Sequence, residues 1–209
     1  SPRWLVWDEG RRCFAAHHQE LLDPDLAWGL FRALLEHAPW EDVRGRQGRV
    51  NRGTCWYVRG GCRCDYTYGS SRIEALREPP PVFLSAMEDL LAALCAALCP
   101  WLPAEAWPNS ANLNLYAAPE HLVGWHADDE SLFAGRDADC PIVSVSLGAP
   151  REFWLALRRD GDPSEPRLKS VVEADLMHGD VLTMEGRCQR HCLHFVPNAV
   201  RRGEAPAPG

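Results

Sequence analysis

"ANLNLYA" (residues 111–117) alternates apolar and polar side chains at the period of a β-strand. The alternation places Leu113 and Leu115 on one face of the strand, and Asn114 and Tyr116 on the other. If the leucines pack beneath helices, the polar pair faces the interior of the sheet. Because buried polar groups without partners cost free energy, such an interior predicts a water-filled cavity, a bound cation, or both.

Short segments with the same period fill most of the C-terminal half, separated by Gly, Pro, Asp or charged turns. They are "PIVSVSLG" (141–148), "EFWLALR" (152–158), "SVVEADL" (170–176), "GDVLTME" (179–185) and "CLHFVP" (192–197). Two amphipathic helices precede them, one over residues 23–37 with Asp23 as its cap, and one over residues 82–98. This order predicts a single α+β domain over residues 1–209, in which an antiparallel sandwich or barrel has both helices packed on its outer face.

The charge of the chain is unevenly distributed. Lys and Arg total 22 against 29 Asp and Glu, a net charge of −7, which alone argues against a polyanionic partner. The segment 44–72, however, contains seven arginines and one acid, Asp65, for a local charge of +6. It predicts either a positive lip on an acidic body or an ordinary solvated loop.

The chain carries few signals of location. No stretch resembles an 18-residue apolar membrane span, and the first residues lack the pattern of a secretory signal. We therefore expect an intracellular protein, in the nucleus or cytoplasm, that is monomeric and has no membrane partner. Nine cysteines are an odd number without the spacing of a disulfide framework, which favours reduced thiols.

"GWHADDE" (residues 124–130) is either a solvated charged turn or half of a metal site. In an extended backbone, His126, Asp128 and Glu130 share one face and Asp129 lies on the other. A histidine and a carboxylate two residues apart can contact one ion. A second histidine from a distant strand would complete the two-histidine, one-carboxylate set that is typical of non-haem Fe(II).

The second histidine is sought in "CQRHCLHFVP" (188–197), which contains His191 and His194. His194 lies in a segment with strand period, whereas His191 lies in an irregular connection. The pattern therefore favours His194.

Four sequence motifs follow one another along the chain before His194. They are "NLY" (114–116), "WHADDE" (125–130), "PIVSVSLG" (141–148) and "HGDVLTMEG" (178–186), followed by His194. In order and spacing they resemble the AlkB-like Fe(II)- and 2-oxoglutarate-dependent dioxygenases of the nucleic-acid dealkylating branch. The resemblance implies a double-stranded β-helix (jelly-roll) core within residues 81–209, and a nucleotide-recognition lid with the first helix within residues 1–80.

The resemblance also implies roles for single residues. His126, Asp128 and His194 would be the iron ligands, and Asn114 and Tyr116 would hydrogen-bond 2-oxoglutarate. The residues implied to contact substrate are Trp56, Tyr57, Tyr66, Tyr68, Glu130 and Arg158. Tyr66 and Tyr68 could instead simply pack one face of an edge strand.

The implied reaction is oxidative demethylation of N-alkylated bases, such as 1-methyladenine and 3-methylcytosine, in DNA or RNA. It uses Fe(II), 2-oxoglutarate and O2 and releases succinate, CO2 and formaldehyde. Single strands are the easier substrate, because a base in a duplex must first be flipped out.

One family feature is missing. An arginine on the strand after the distal histidine, in a pattern like R-x-N-x-T-x-R, would pair with the far carboxylate of 2-oxoglutarate. Arg201 and Arg202 follow His194 too closely and without strand character. Either this strand was trimmed from the sequence, as we expect, or the protein has lost this contact with the cosubstrate.

Three alternative functions stay open at this point. The first is a dioxygenase that acts on a protein or a small molecule. The second is a nucleic-acid-binding protein that no longer turns over. The third is a zinc module that uses Cys188, His191, Cys192 and His194, perhaps with Cys62 and Cys64.

Overall fold

The computed structural model describes residues 1–41, 44–45, 48–49, 52–61, 64–68, 71–103 and 106–199. Its elements in chain order are β1 (Arg3–Asp8), β2 (Cys13–His18), α1 (Pro24–His37), β3 (Arg44–Gly45), β4 (Gly48–Arg49), β5 (Gly53–Val58), β6 (Tyr66–Tyr68), β7 (Ser71–Ile73), α2 (Pro81–Leu98), β8 (Ser110–Leu115), β9 (Val123–His126), β10 (Ile142–Val145), β11 (Arg151–Arg159), β12 (Asp162–Pro166), β13 (Val172–Leu176), β14 (Val181–Gly186), α3 (Cys188–His191) and β15 (Cys192–Val196).

Two antiparallel sheets form the centre of the molecule. One has the strand order β1-β2-β14-β10, and the other has the order β12-β11-β15-β9 with β13 also paired to β11. Apolar side chains from both sheets meet in one core, including Leu5, Ala15, Phe153, Leu155 and Leu182. The predicted jelly-roll core is confirmed. Smaller ladders, β5 with β8 and β6 with β7, lie beside it.

Both predicted helices cover the outside of this core. The Asp23 side chain accepts hydrogen bonds from the backbone N–H groups of Asp25 and Leu26, at 3.0 and 3.1 Å, which fixes the start of α1. The buried faces of α1 and α2 then pack in one cluster with Val181 of β14 and with Cys55 of β5. Helices on the outer face of the sheets are therefore confirmed.

Helix α2 corrects one expectation from the sequence. Its 18 residues have a mean hydropathy of 1.7, so by length and composition it could cross a membrane, and 22% of it is buried inside the structure. The apolar stripe predicted an amphipathic helix. The helix is instead apolar along almost its whole length, because Glu88 and Asp89 are its only charged residues. Phe83 and Ala86 nevertheless pack against α1 and the sheet, as in the core helix of a globular protein.

The N-terminal hairpin β1–β2 precedes the first helix, and the sequence analysis did not predict it. Strand β2 pairs along β14, from Cys13 opposite Gly186 to His18 opposite Val181. Four of its six side chains are buried, so "CFAAHH" (13–18) shows no alternation of polar and apolar residues. A strand covered on both faces lacks the period that identified the others.

A buried contact between His17 of β2 and Asp180 lies next to strand β14. The Asp180 carboxylate is 2.7 Å from Nε2 of His17, and both side chains are 1% exposed. The same carboxylate accepts hydrogen bonds from the backbone N–H groups of Glu20 and Met177, at 2.8 and 2.9 Å. Asp180 thereby joins β2, the turn that follows it, and the turn before β14.

Candidate metal centre

Three side chains with metal-binding donors converge at the junction of β9 and β15. His126 and His194 are directly opposite in the ladder, and their ring centroids are 4.0 Å apart. Asp128 places Oδ1 at 3.9 Å from Nε2 of His126 and Oδ2 at 3.5 Å from Nε2 of His194. One donor atom from each residue lies within 4.8 Å of the others. The structure thus brings together two imidazole nitrogens and one carboxylate.

The electrostatics of this site favour a cation. Burial lowers the pKa of both His126 and His194, so the neutral imidazoles keep lone pairs available. Burial also raises the pKa of Asp128, although the positive charge of Arg52 acts in the opposite direction. A desolvated carboxylate beside two neutral imidazoles is stabilised by a metal ion, and the donor set suits non-haem Fe(II).

The two histidines are held in place by their surroundings. Nδ1 of His126 is 2.8 Å from the backbone carbonyl of Gly124, which leaves Nε2 directed towards Asp128. The His194 ring stacks on Phe153, with centroids 5.5 Å apart and an interplanar angle of 16°. Both rings are therefore oriented without help from a bound ion.

Asp128 is positioned by Gln189, which the sequence analysis missed. The Gln189 side chain is buried, and its Oε1 accepts a hydrogen bond of 2.9 Å from the backbone N–H of Asp128. Its amide nitrogen lies 3.4 Å from the sulfur of Met184. The only sequence signal was a polar residue within "CQRHC" (188–192), shortly before His194.

The two predicted cosubstrate residues each lie beside an arginine. Oδ1 of Asn114 accepts a hydrogen bond of 2.6 Å from Nε of Arg52, which is 8% exposed. The guanidinium of Arg151 lies 5.1 Å from the centroid of the Tyr116 ring. Arg52 was counted in the basic segment but not recognised as a site residue, because its approach to Asn114 depends on the pairing of β5 with β8. Arg201 and Arg202 lie outside the described residues.

Glu130 lies beside the metal centre and is held by the predicted lid. Its Oε1 accepts a hydrogen bond of 3.0 Å from the hydroxyl of Tyr66. Its Oε2 is buried and has no hydrogen-bond partner among the described atoms. Burial raises the pKa of Glu130 to about 7, and the charge of Asp128 acts in the same direction. One carboxylate oxygen of Glu130 is thus buried without a hydrogen-bond partner among the described atoms.

Trp56 and Tyr66 form a packed cluster instead of an open stacking surface. Their rings stack at 5.1 Å, Phe133 packs against both, and Trp56 and Tyr66 are 3% and 2% exposed. Nε1 of Trp56 also donates a hydrogen bond of 2.7 Å to the backbone carbonyl of Cys64. The expectation that Trp56 offers a surface to bases is therefore wrong for this conformation.

Tyr57 also requires a correction. Because side chains alternate along β5, Tyr57 points away from Trp56 and into the core below α2, where its ring meets Phe83 at 5.4 Å. It does not belong to the site. Tyr68 lies on β6, but its side chain is outside the described part of the chain.

Arg158 makes internal contacts on the opposite side of the site. Its guanidinium donates to Oδ2 of Asp129 at 2.8 Å, to the carbonyl of Gln189 at 2.9 Å, and to the carbonyl of Pro163 at 2.7 Å. Asp129 is thus paired with Arg158 and Arg136 and is not among the three converging metal-binding residues. Arg158 positions this loop, and its contact with substrate stays a prediction.

The positive lip is only partly visible. Among the seven arginines of residues 44–72, three have described side chains, and each has a partner within the protein. Arg52 contacts Asn114, Arg59 is 3.0 Å from Glu88, and Arg72 pairs with Asp65. Part of the positive charge is thus compensated locally, and the other four side chains lie outside the described residues.

The four ligands of the alternative zinc module, Cys188, His191, Cys192 and His194, do not converge on one point. His194 lies beside His126, whereas Cys188 and Cys192 lie beside Cys13. Cys62 lies outside the described residues. Cys64 is in a disulfide, contrary to the expectation of reduced thiols, while the seven other described cysteines are free.

Tyr66 should matter for stability because its ring is buried. Tyr66→Ala should lower the free energy of unfolding by about 3–5 kcal/mol, as for other buried aromatic rings. Tyr66→Phe, which removes only the hydroxyl that donates to Glu130, should cost about 1–2 kcal/mol. Thr67→Ala, at an exposed position of the same strand, is the control for denaturant unfolding. Equal losses for Tyr66→Ala and Thr67→Ala would show that the ring is not packed.

Comparison with known proteins agrees with this site. Residues 14–207 match the family model of the 2OG-Fe(II) oxygenase superfamily. The chain is 30% identical over 222 residues to "DNA oxidative demethylase ALKBH2" of Arabidopsis thaliana, covering 96% of this chain and 66% of that protein. It is 41% identical over 186 residues to "Alpha-ketoglutarate-dependent dioxygenase alkB homolog 3" of Homo sapiens, covering 84% and 57%. The chain thus spans less than two thirds of the length of these relatives.

A solved structure supports the fold alone. OsALKBH1 superposes with a TM-score of 0.57 at 18% identity, covering 94% of this chain and 88% of that one. The sheet topology, the convergent His126, Asp128 and His194, and the family match over nearly the whole chain lead to one conclusion. The chain belongs to the 2OG-Fe(II) oxygenase superfamily, among its AlkB-like proteins.

Proposed function

We propose that this protein uses Fe(II), 2-oxoglutarate and O2 to demethylate N-alkylated bases of DNA or RNA, of the 1-methyladenine and 3-methylcytosine type. The observation that carries the proposal is the convergence of His126, Asp128 and His194 next to a buried carboxylate, Glu130. The relative named as a DNA oxidative demethylase supports both the reaction and the class of substrate.

In this proposal the three convergent residues hold the iron, and Asn114 and Tyr116 hold 2-oxoglutarate. When bound, iron with 2-oxoglutarate and O2 supplies the oxidation of the N-methyl carbon, which leaves as formaldehyde while the cosubstrate becomes succinate and CO2. Arg52 places a buried positive charge beside Asn114, which favours a dianionic cosubstrate there.

Glu130 is the residue that would recognise the base. The hydroxyl of Tyr66 donates to Oε1, and Oε2, which has no hydrogen-bond partner among the described atoms, would accept a hydrogen bond from an exocyclic amino group. Adenine and cytosine both carry such a group beside the methylated ring nitrogen. Uracil and thymine do not, so Glu130 would favour the first two bases.

Single-stranded nucleic acid is the proposed form of the substrate. A base within a duplex must be unstacked and flipped before it reaches an enclosed site, which costs a few kcal/mol.

A monomeric state, an intracellular location in the nucleus or cytoplasm, and the lack of a membrane partner stay predictions. Light scattering after size exclusion, and imaging of the tagged protein, would check them.

The proposal is tested by one assay. Purified protein is incubated with Fe(II), 2-oxoglutarate and single-stranded DNA or RNA oligonucleotides that carry 1-methyladenine or 3-methylcytosine. We expect formaldehyde and a base mass reduced by one methylene. His126→Ala should abolish both, whereas His37→Ala, at the end of α1 and outside the site, should retain them.

The same assay separates the alternatives. Succinate release without any change in the oligonucleotides would indicate a dioxygenase with a protein or small-molecule substrate. Binding of oligonucleotides without succinate release would indicate a protein that no longer turns over. Either result would overturn the proposed demethylation.

A further inference from the structure

Three buried thiols outside the metal centre meet at one point. Cys13 is the first residue of β2, Cys188 the first of α3, and Cys192 the first of β15. The sulfurs of Cys13 and Cys192 are 3.5 Å apart, and all three sulfurs lie within 4.8 Å of one another. None of the three residues is more than 2% exposed. The oxygenase reaction gives these thiols no role.

The spacing of the sulfurs suits a tetrahedral metal ion. Zinc binds thiolate sulfur at about 2.3 Å, so two sulfurs on one tetrahedral ion are about 3.8 Å apart. The distance of 3.5 Å between Cys13 and Cys192 is within a few tenths of an ångström of that value. Sulfur is also the donor that zinc and other thiophilic ions prefer over oxygen.

Paired strands hold two of these thiols in place. Cys13 lies opposite Gly186 in the β2–β14 ladder, and Cys192 lies opposite Leu157 in the β11–β15 ladder. The cluster therefore joins the two central sheets through backbone that is already fixed. A bound ion would need little rearrangement of the chain.

The residues next to the three cysteines in the chain line a basic surface pocket. The pocket has a volume of about 290 Å³ and is lined by Gly10, Arg11, Arg12, Arg187, Arg190 and His191. Three of these residues, Arg12, Arg187 and His191, directly precede the three cysteines in the chain. The cysteines themselves do not line the pocket and are buried.

The charge of the pocket fits an anionic metal centre. A divalent ion with three thiolates has a net negative charge. Arg12 and Arg187 share a single carboxylate, Asp139, so their combined charge stays positive. His191 also brings an imidazole to the pocket, where a fourth ligand would enter.

We propose that Cys13, Cys188 and Cys192 bind one thiophilic cation of the Zn²⁺ class, separately from the centre formed by His126, Asp128 and His194. The thiols release their protons to solvent on binding, and no electron is transferred. The ion would have a structural role, because it would fasten the start of β15, two residues before His194, to strand β2. This site does not depend on the proposed demethylation.

Cobalt(II) tests the proposal, because thiolate ligands give it charge-transfer absorption in the near ultraviolet and nitrogen or oxygen ligands do not. The titration uses the reduced full chain carrying Asp128→Ala, which disables the first metal centre. We expect the thiolate band to saturate at one ion per chain. Adding Cys188→Ala should remove the band, whereas adding Cys55→Ala, a buried thiol elsewhere, should leave it unchanged.

Two further measurements keep the test decisive. Circular dichroism without metal establishes that each variant is folded, and Cys13→Ser replaces Cys188→Ala if the latter fails. Zn²⁺ should raise the melting temperature of the Asp128→Ala protein but not that of the Cys188→Ala protein in the same background. The proposal is overturned if the Asp128→Ala protein shows no thiolate band, or if the band survives in both Cys188→Ala and Cys13→Ser. The three thiols would then only pack the core.

Discussion

Asp128→Ala is expected to lower the rate of formaldehyde release by more than about 100-fold, because changes to groups that merely orient a metal ligand already cost about 10–100-fold. Asp128 is the one carboxylate that approaches both His126 and His194. Its loss leaves two neutral imidazoles, which bind Fe(II) weakly. The measurement is the initial rate at saturating 2-oxoglutarate, over a range of Fe(II) concentrations.

Asp137→Ala is the matched control for this change. Asp137 is exposed and lies in the loop that follows the site, so its removal should leave the rate unchanged. Circular dichroism should show both variants folded. If Asp128→Ala kept the activity of the wild-type protein, the assignment of the metal centre would be wrong.

Asp180→Ala is expected to lower the free energy of unfolding by about 3–5 kcal/mol, because each buried polar group left without its partner costs about 1–3 kcal/mol. The change leaves His17 without its carboxylate, and it removes the acceptor of the Glu20 and Met177 N–H groups. It also opens space where the side chain was 1% exposed. Urea unfolding followed by circular dichroism measures the loss.

Asp175→Ala provides the comparison for Asp180→Ala. Asp175 is exposed on β13, and surface substitutions usually change stability by less than about 0.5 kcal/mol. Similar midpoints for the two variants would show that the pair of His17 with Asp180 does not hold β2 to β14.

Most of the core could be predicted from local patterns. Strand β8 keeps the predicted alternation, strands β10, β14 and β15 lie within their predicted segments, and Asp23 begins α1 where the sequence places its cap. Alternation also separated Asp129 from Asp128. The choice of His194 over His191 followed from strand period, and the structure places His194 opposite His126.

The missed features depend on contacts between distant residues. Arg52 reaches Asn114 only because β5 pairs with β8, and Gln189 reaches Asp128 across 61 positions of sequence. Strand β2 is covered on both faces, so its sequence lacks a period. The placement of Tyr57 is different, because alternation along β5 already separated it from Trp56 and could have excluded it from the site.

Mn(II) binding shows whether His126, Asp128 and His194 together hold one divalent ion. Mn(II) prefers nitrogen and oxygen ligands, so it distinguishes this centre from the thiol cluster. Loss of the free-ion signal in electron paramagnetic resonance reports binding. We predict one site in the wild-type protein and in Cys188→Ala, and none in His126→Ala. Equal binding by the wild-type protein and His126→Ala, or no binding by either, would contradict the account.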